Sequence, residues 1–343
     1  MKGSDDLKKV LLITTGGTLA CGDTENGLAP ELTADEILSY VPEVKDICDV
    51  ESLYVSSIDS TNVTIRHWQM MVKAIEENYD KYDAFVITHG TDTLAYTASA
   101  LSYMIQNSAK PIVLTGSQLP IKVSGTDAKI NLLDSFIYAT DDNSYDVSVV
   151  FGGKVIAGTR ARKERTKSFD AFLSLNFPYK AVVSDGVIKR NFEESRPSEK
   201  AKFYCDMSDS VCTLKFTPNM KPEIFTYLFE NYYAIIFESF GVGGIPEYLT
   251  DAFYTEMRKP SSREKCVVVT TQIANEGSNM ELYAVGKRVK EEFKLIETYD
   301  MTFESALAKL MWIMGSGYTD YDEIRKIFYK CINYDVLYKE ALL

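Results

Sequence analysis

The sequence predicts a two-domain α/β protein, with a larger N-terminal domain on a parallel sheet and a second, smaller α/β domain. Three observations carry this reading. A chain of 343 residues exceeds what one ordinary core organises, so two compact domains are expected. In the first half, short and nearly continuous apolar runs alternate with stretches of helical period, the pattern of a parallel sheet covered on both faces. The same alternation resumes after a polar stretch, 189–209, that has little periodicity.

Taken in order, strands are expected over 10–14, 50–57, 84–88, 112–115 and 147–151, each an apolar run bounded by turn residues. Helices are expected between them, over 33–41, 64–79, 93–106 and 128–140. In the second helix Ile65, Trp68, Val72 and Ile75 share one face, with Thr64 placed to cap it. In the third, Leu94, Leu101 and Ile105 form the stripe, and Ala95, Ala98 and Ala100 permit close approach to a sheet. The charged, proline-containing stretch reads as a linker, giving domains over 1–190 and 211–343 with 191–210 between them. Beyond it, strands over 211–216, 234–238 and 266–270 alternate with helices over 222–231, 247–258, 303–314 and 322–333. The chain has no fixed-period repeat and no low-complexity segment.

Composition narrows the function. With 45% hydrophobic and 25% charged residues the chain is globular rather than disordered. Its net charge of −12 argues against a nucleic-acid partner, because displacing phosphate counterions needs a basic face. No apolar run approaches the roughly 18 residues of a membrane span. The opening run 10–13 is shorter than the roughly 7–15 residues of a signal core. A cytoplasmic protein with no membrane partner is expected. Six cysteines without a CxxC pair suit free thiols in a reducing compartment and offer no zinc spacing. Only two histidines exist, so a Ser-His-Asp or His-ligated metal site must use His67 or His89.

Two strand ends carry polar clusters. The first strand runs into Thr14-Thr15-Gly16-Gly17-Thr18, where paired glycines turn the backbone tightly and offer N–H groups toward a ligand. The third ends in Thr88-His89-Gly90-Thr91-Asp92-Thr93. Both lie at carboxyl ends of strands expected to be neighbours, where open α/β sheets bind ligands. A hydroxyl nucleophile needs a base or cation to activate it, and Asp92 with a lysine from the basic stretch 158–165 could supply one. Ordinary roles compete throughout: a β-turn for the first cluster, a helix cap for Thr91 or Asp92, a structural histidine for His89, a solvated loop for 158–165. In FGVGGIP, Pro246 occupies the place of the last glycine of GxGxxG, so Gly241, Gly243 and Gly244 read as turn glycines rather than a dinucleotide site.

The clusters also carry a family resemblance. TTGGTLA and ITHGTDTLAYTASAL, followed in order by PIVLTGSQLP, INLLDS, KSFDAF and FGVGGIP, resemble type I, cytoplasmic bacterial L-asparaginases over most of the chain. The resemblance implies hydrolysis of L-asparagine to L-aspartate and ammonia by double displacement, with no metal or organic cofactor. It also implies a homotetramer, a dimer of dimers with sites near a subunit interface. Carried over by position, it makes Thr18 the nucleophile and Thr91, Asp92 and Lys163 the group that activates a hydroxyl or water. Gly17, Asp59, Ser60 and Thr61, together with Thr91 and Asp92, become the substrate-binding set. Two places depart from the pattern. Leu28 stands where many relatives carry a tyrosine that bonds the nucleophile, within the stretch 21–32 (Gly22, Asn26 and Gly27 included) that reads as a mobile lid. Glu238 and Ile273 stand where some relatives carry the arginine and cysteine of a regulatory asparagine site, which implies no such regulation. The competing readings are a glutaminase-leaning amidase, the amide-donating subunit of a tRNA-dependent amidotransferase, and a non-catalytic amino-acid sensor. A nucleotide-binding α/β protein is disfavoured by the missing phosphate loop.

Overall fold

The computed structural model describes residues 7–24, 27–262 and 264–337, without the side chains of 23, 24, 27–30, 284 and 285. Asn26 and the side chain of Leu28 therefore lie outside the described residues. The chain forms two units, Met1–Cys205 and Asp206–Leu343. Among the described residues no helix is long and apolar enough to cross a membrane.

In the first unit the strands are β1 (Lys9–Gly16), β2 (Cys21–Thr24), β3 (Gly27–Pro30), β4 (Asp49–Ile58), β5 (Ala84–Thr88), β6 (Ile105–Gln106) and β7 (Ile112–Thr115). They continue with β8 (Val147–Phe151), β9 (Lys154–Ala157), β10 (Ala161–Lys163), β11 (Phe172–Ser174), β12 (Ala181–Ser184), β13 (Val187–Arg190) and β14 (Lys202–Phe203). The helices are α1 (Ala34–Ser39), α2 (Ile65–Asn78), α3 (Leu94–Met104) and α4 (Ala128–Ala139). Eight strands form the main sheet in the order β13-β12-β9-β8-β7-β5-β1-β4. The five from β4 to β8 are parallel, as predicted, and burial on both faces explains the apolar runs of β1, β5, β7 and β8, whereas β4, at the sheet edge, is half-buried or exposed along its length. Val10, Leu12, Val86 and Val113 meet Ile37 and the α4 residues Leu132 and Phe136 on one side. The alternate residues Leu11, Ile13, Phe85 and Ile87 are buried on the other, where α2 and α3 pack. Thr64 occupies the N-cap of α2, its N–H donating to His67 Nδ1 at 3.1 Å.

The sheet is mixed rather than purely parallel. Strands β9, β12 and β13 run antiparallel at one side. Two tight turns cause the reversal: Gly152–Gly153 with φ +57° and +71°, and Asp185–Gly186 with φ +52° and +76°. Paired positive φ angles belong to the type I′ hairpin turn, which Gly-Gly and Asp-Gly favour. These strands are only four residues long, and β12 alternates buried with exposed residues and β13 exposed with half-buried ones, so no long apolar run marks them. The stretch 21–32, expected as a lid loop, contains the antiparallel pair β2–β3. Within 191–210, β14 pairs with β6.

The second unit is a four-stranded parallel sheet in sequence order, β15 (Val211–Lys215), β16 (Ala234–Ser239), β17 (Cys266–Thr271) and β18 (Ile296–Glu297). Around it lie α5 (Ile224–Asn231), α6 (Glu247–Met257), α7 (Ala284–Phe293), α8 (Phe303–Gly315) and α9 (Tyr321–Phe328). Helix α7 and the two-residue strand β18 are absent from the sequence reading, because one is highly charged and the other too short to show a period. The core here is aromatic: Phe253 stacks edge-on against Phe225, Phe229, Phe237 and Phe293. Removing that ring leaves a cavity that rigid neighbours cannot refill. Phe253→Ala is therefore expected to cost the second unit about 3–5 kcal/mol. Urea unfolding followed by Trp312 fluorescence checks this, and a loss under about 1 kcal/mol would contradict so central a role.

Candidate active site

Strands β1 and β5 pair in parallel with Thr14 opposite Thr88, so the two polar clusters leave the sheet side by side. Strand β4 flanks β1 on the other side and delivers Asp59 and Ser60 to the same end. The loops then touch backbone to backbone. Gly17 has φ +82°, and a Cβ there would lie 2.4 Å from Gly90 N and 2.6 Å from Gly90 Cα. A Cβ on Gly90 would lie 2.6 Å from Ser60 Oγ. Only glycine permits both the angle and the approach.

The convergence encloses a cavity of about 150 Å³. Thr18 and Cys21 line it from the first loop, Asp59 and Ser60 from the second, Thr91 and Asp92 from the third, with Gly17 and Gly90 between them. Sites for drug-sized ligands span about 300–1,000 Å³, so this one suits a molecule of amino-acid size.

Lys163 reaches the cavity wall from the β10–β11 hairpin. Its Nζ donates to Thr91 Oγ1 at 2.7 Å and to Asp92 Oδ1 at 2.7 Å. The Thr91 hydroxyl in turn donates to Gln118 Oε1 at 3.4 Å. Gln118 Nε2 bonds the carbonyls of Arg165 (3.4 Å) and Ser168 (3.1 Å), so one amide ties the segment after Lys163 to Thr91. The basic stretch is no solvated loop: Arg160 is fully buried and Lys163 largely so. Gln118 is not among the residues the sequence singles out, although it lies within PIVLTGSQLP; the available signal is a long polar side chain just beyond a buried strand.

Thr18 lines the cavity with its hydroxyl free of any hydrogen-bond partner among the described residues. The N–H groups of Thr18 and Thr91 also have no acceptor among them. The Gly17 N–H, expected to face a ligand, instead donates to Ile58 O at 3.2 Å and holds the loop against β4. Cys21 donates its thiol to Gly17 O at 3.4 Å. Burial, followed by the carboxylates of Asp59 and Glu31, pushes its pKa up and favours the protonated thiol. Nothing in its sequence context separates Cys21 from the five other scattered cysteines.

Asp59 and Thr61 share a local turn, with the Thr61 N–H and hydroxyl both donating to Asp59 Oδ1 at 2.9 Å. Ser60 is buried, and its carbonyl accepts from Thr93 Oγ1 at 2.7 Å. Thr93, not Thr91 or Asp92, occupies the N-cap of α3, so helix capping does not account for the cluster. His89 is wholly buried between Gly90 O and Thr97 Oγ1, at 2.7 and 3.0 Å, as a structural histidine. Burial drives its pKa down to about 4, against the opposing bond from the Gly90 carbonyl. Among the described residues no cluster of three or more His, Cys, Asp or Glu side chains could hold a metal ion.

Comparison with known proteins places this geometry in context. Residues 9–196 match the family model "Asparaginase, N-terminal" and residues 210–328 match "Glutaminase/Asparaginase C-terminal domain". The L-asparaginase of Thermococcus kodakarensis is 37% identical over 93% of this chain and 96% of its own. A solved structure of the thermostable L-asparaginase from that organism superposes with a TM-score of 0.89 at 36% identity, covering 96% of this chain and 99% of that one. L-asparaginase 1 of Escherichia coli K12 is 33% identical over 93% of this chain and 95% of its own. A glutamyl-tRNA(Gln) amidotransferase component of Methanosarcina acetivorans is 34% identical over 90% of this chain and 74% of its own.

The buried imidazole gives a pH test. Its folded pKa of about 4 lies below the ordinary 6.5, so the unfolded chain takes up the proton first as pH falls. The stabilisation is complete above about pH 6.5 and is lost progressively down to about pH 4, amounting to about 3 kcal/mol. In a His89→Gln variant, the difference in urea-unfolding free energy between pH 7 and pH 4 should shrink by about that amount. An unchanged pH dependence would refute the assignment.

Proposed function

The chain belongs to the asparaginase family, and from that premise we propose that it hydrolyses L-asparagine to L-aspartate and ammonia through an acyl-threonine intermediate. The carrying observation is the pair of 2.7 Å bonds from Lys163 Nζ to Thr91 and Asp92, on the wall of a cavity that Thr18 also lines. An amine, a carboxylate and a hydroxyl in contact are what a hydroxyl nucleophile or a water needs beside it.

In the first step Thr18 Oγ1 bonds to the side-chain carbonyl carbon. The developing oxyanion is met by N–H groups with no other acceptor, those of Thr18 and Thr91 being available. The C–N bond then breaks, and the nitrogen leaves as ammonia carrying the proton from the Thr18 hydroxyl. In the second step a water prepared by Thr91, Asp92 and Lys163 attacks the ester carbon, releases aspartate and returns a proton to Thr18. Asp59 and Asp92 suit the substrate's α-ammonium, and Ser60 suits its α-carboxylate. Thr61, bonded to Asp59 Oδ1, and Gly17, bonded to Ile58 O, support this set. No metal or cofactor enters any step.

Similarity to an amidotransferase component keeps amide donation to a tRNA-linked acceptor as the second reading. The net charge of −12 weighs against a polyanionic partner. The proposed setting is the cytoplasm, and the proposed assembly a homotetramer.

Ammonia release from L-asparagine, L-glutamine and D-asparagine by the purified protein is the direct test, with L-asparagine expected to be hydrolysed fastest. Thr18→Val should reduce turnover by at least about 10³-fold, and Lys163→Met by about 10²–10⁴-fold, with the fold unchanged by circular dichroism. Full activity in Thr18→Val would remove the nucleophile from the scheme.

A further inference from the structure

Behind the cavity runs a hydrogen-bonded chain that the reaction leaves unexplained. Trp68 Nε1 on α2 donates to Thr97 Oγ1 on α3 at 3.0 Å. Thr97 Oγ1 lies 3.0 Å from His89 Nε2, and His89 Nδ1 lies 2.7 Å from Gly90 O. All three side chains are buried. The two ends fix every proton between them, because an indole N–H can only donate and a carbonyl can only accept. His89 Nδ1 must therefore carry a hydrogen, leaving a lone pair on Nε2. Thr97, already accepting from Trp68, directs its one hydroxyl proton to that lone pair. The chain has a single self-consistent arrangement, running from Trp68 through Thr97 and His89 to Gly90.

Its end point is a peptide that cannot hold itself in place. Gly90 has no Cβ to restrict its backbone. It is confined on its Cα side by Ser60 and Gly17, where a Cβ on Gly90 would lie 2.6 Å from Ser60 Oγ and 3.3 Å from Gly17 Cα. The His89 backbone is itself anchored, its N–H donating to Thr115 O at 2.8 Å, and Gly116 packs so close that a Cβ would lie 2.3 Å from His89 O. The Gly90 carbonyl and the Thr91 N–H belong to one planar trans peptide and point opposite ways. Drawing the carbonyl onto the buried imidazole turns the Thr91 N–H away from it and sets the direction from which the Thr91 side chain meets Lys163.

We propose that His89 is a positioning residue: with Thr97 and Trp68 behind it, it fixes the Gly90–Thr91 peptide plane and thereby aims both the N–H and the hydroxyl of Thr91. This rests on the reading of Thr91 as part of the reacting group, and His89 itself touches no substrate.

The tests separate the two claims. The chain has two histidines, so imidazole ¹⁵N spectra are readily assigned by comparison with a His67→Gln variant. His89 should be the neutral Nδ1–H tautomer, and an Nε2–H tautomer would overturn the proposal whatever the enzyme does. In kinetics, His89→Leu should lower kcat for L-asparagine by about 10²-fold, with KM shifted much less, as misplacement of a reacting group does. His89→Asn, which keeps an N–H donor within reach of Gly90 O, should recover most of that loss. Thr97→Val, which removes only the link behind the imidazole, should lower kcat in the same direction by a smaller factor. Equal losses in the Leu and Asn variants, or kcat falling only in step with melting temperature, would reduce His89 to a core filler. Failure of the native protein to hydrolyse L-asparagine would instead strike the functional reading, with the tautomer still deciding whether the chain exists.

Discussion

The site depends on two backbones approaching where no side chain can stand between them. Gly17 and Gly90 lie so close that a Cβ on the first would collide with the second. That contact is the last link of a sequence of constraints. Apolar runs buried on both faces make parallel strands, and parallel pairing of β1 with β5 puts Thr14 opposite Thr88. The loops then emerge together at the carboxyl end of the sheet. The glycines convert neighbouring strands into touching loops. Thr18 and Thr91, one residue beyond each glycine, are delivered to one small cavity rather than to two separate surfaces.

Charge is arranged on this frame with little left unpaired. Asp59 and Asp92 bring two carboxylates to the cavity, and Lys163 supplies the amine beside it. Asp59 is held by Thr61, Asp92 by Lys163, and the segment after Lys163 by Gln118. An isolated ion pair at a half-open surface contributes little to stability, at about 0–1 kcal/mol. The Lys163–Asp92 pair is better understood as fixing the amine against Thr91 than as holding the fold. Groups whose partners are already in place need not reorganise as charge develops, which is the source of most electrostatic stabilisation in enzymes.

What the sequence discloses follows from which forces leave a periodic trace. Double burial leaves one, so β1, β5, β7 and β8 and the helices between them are legible from apolar runs and a 3.6-residue period. Hairpin geometry leaves only a two-residue trace. Gly152–Gly153 and Asp185–Gly186 carry it, yet the strands that reverse direction, β9, β12 and β13, are only four residues long, and the mixed character of the sheet goes unread. At the site, Thr18, Thr91 and Asp92 stand out as polar residues crowded at strand ends. Lys163 does not, since one lysine in a basic stretch looks like its neighbours; only family resemblance singles it out. Gln118 and Cys21 are placed by tertiary contacts alone, and the engagement of the Gly17 amide by Ile58 is a matter of loop geometry that no residue type announces.

The crowding after β5 has a physical logic that helix capping lacks. A cap needs one side chain, and the residue at that position, Thr93, donates its hydroxyl to Ser60 O rather than turning it to the helix. The remaining groups hold Thr91 from two directions. Lys163 and Gln118 grip its hydroxyl, one as donor and one as acceptor. On the backbone side, His89 grips the carbonyl of the preceding residue. A threonine held only by its side chain could still rotate its peptide, and one held only by its backbone could still swing its hydroxyl. Both restraints together leave the N–H and the O–H of a single residue in one fixed relation. In the proposed mechanism that fixed relation is what lets Thr91 meet an oxyanion and a water in successive steps without rearrangement between them. Gly90, the most flexible residue available, is tolerable next to such a group only because neighbours on every side remove its freedom.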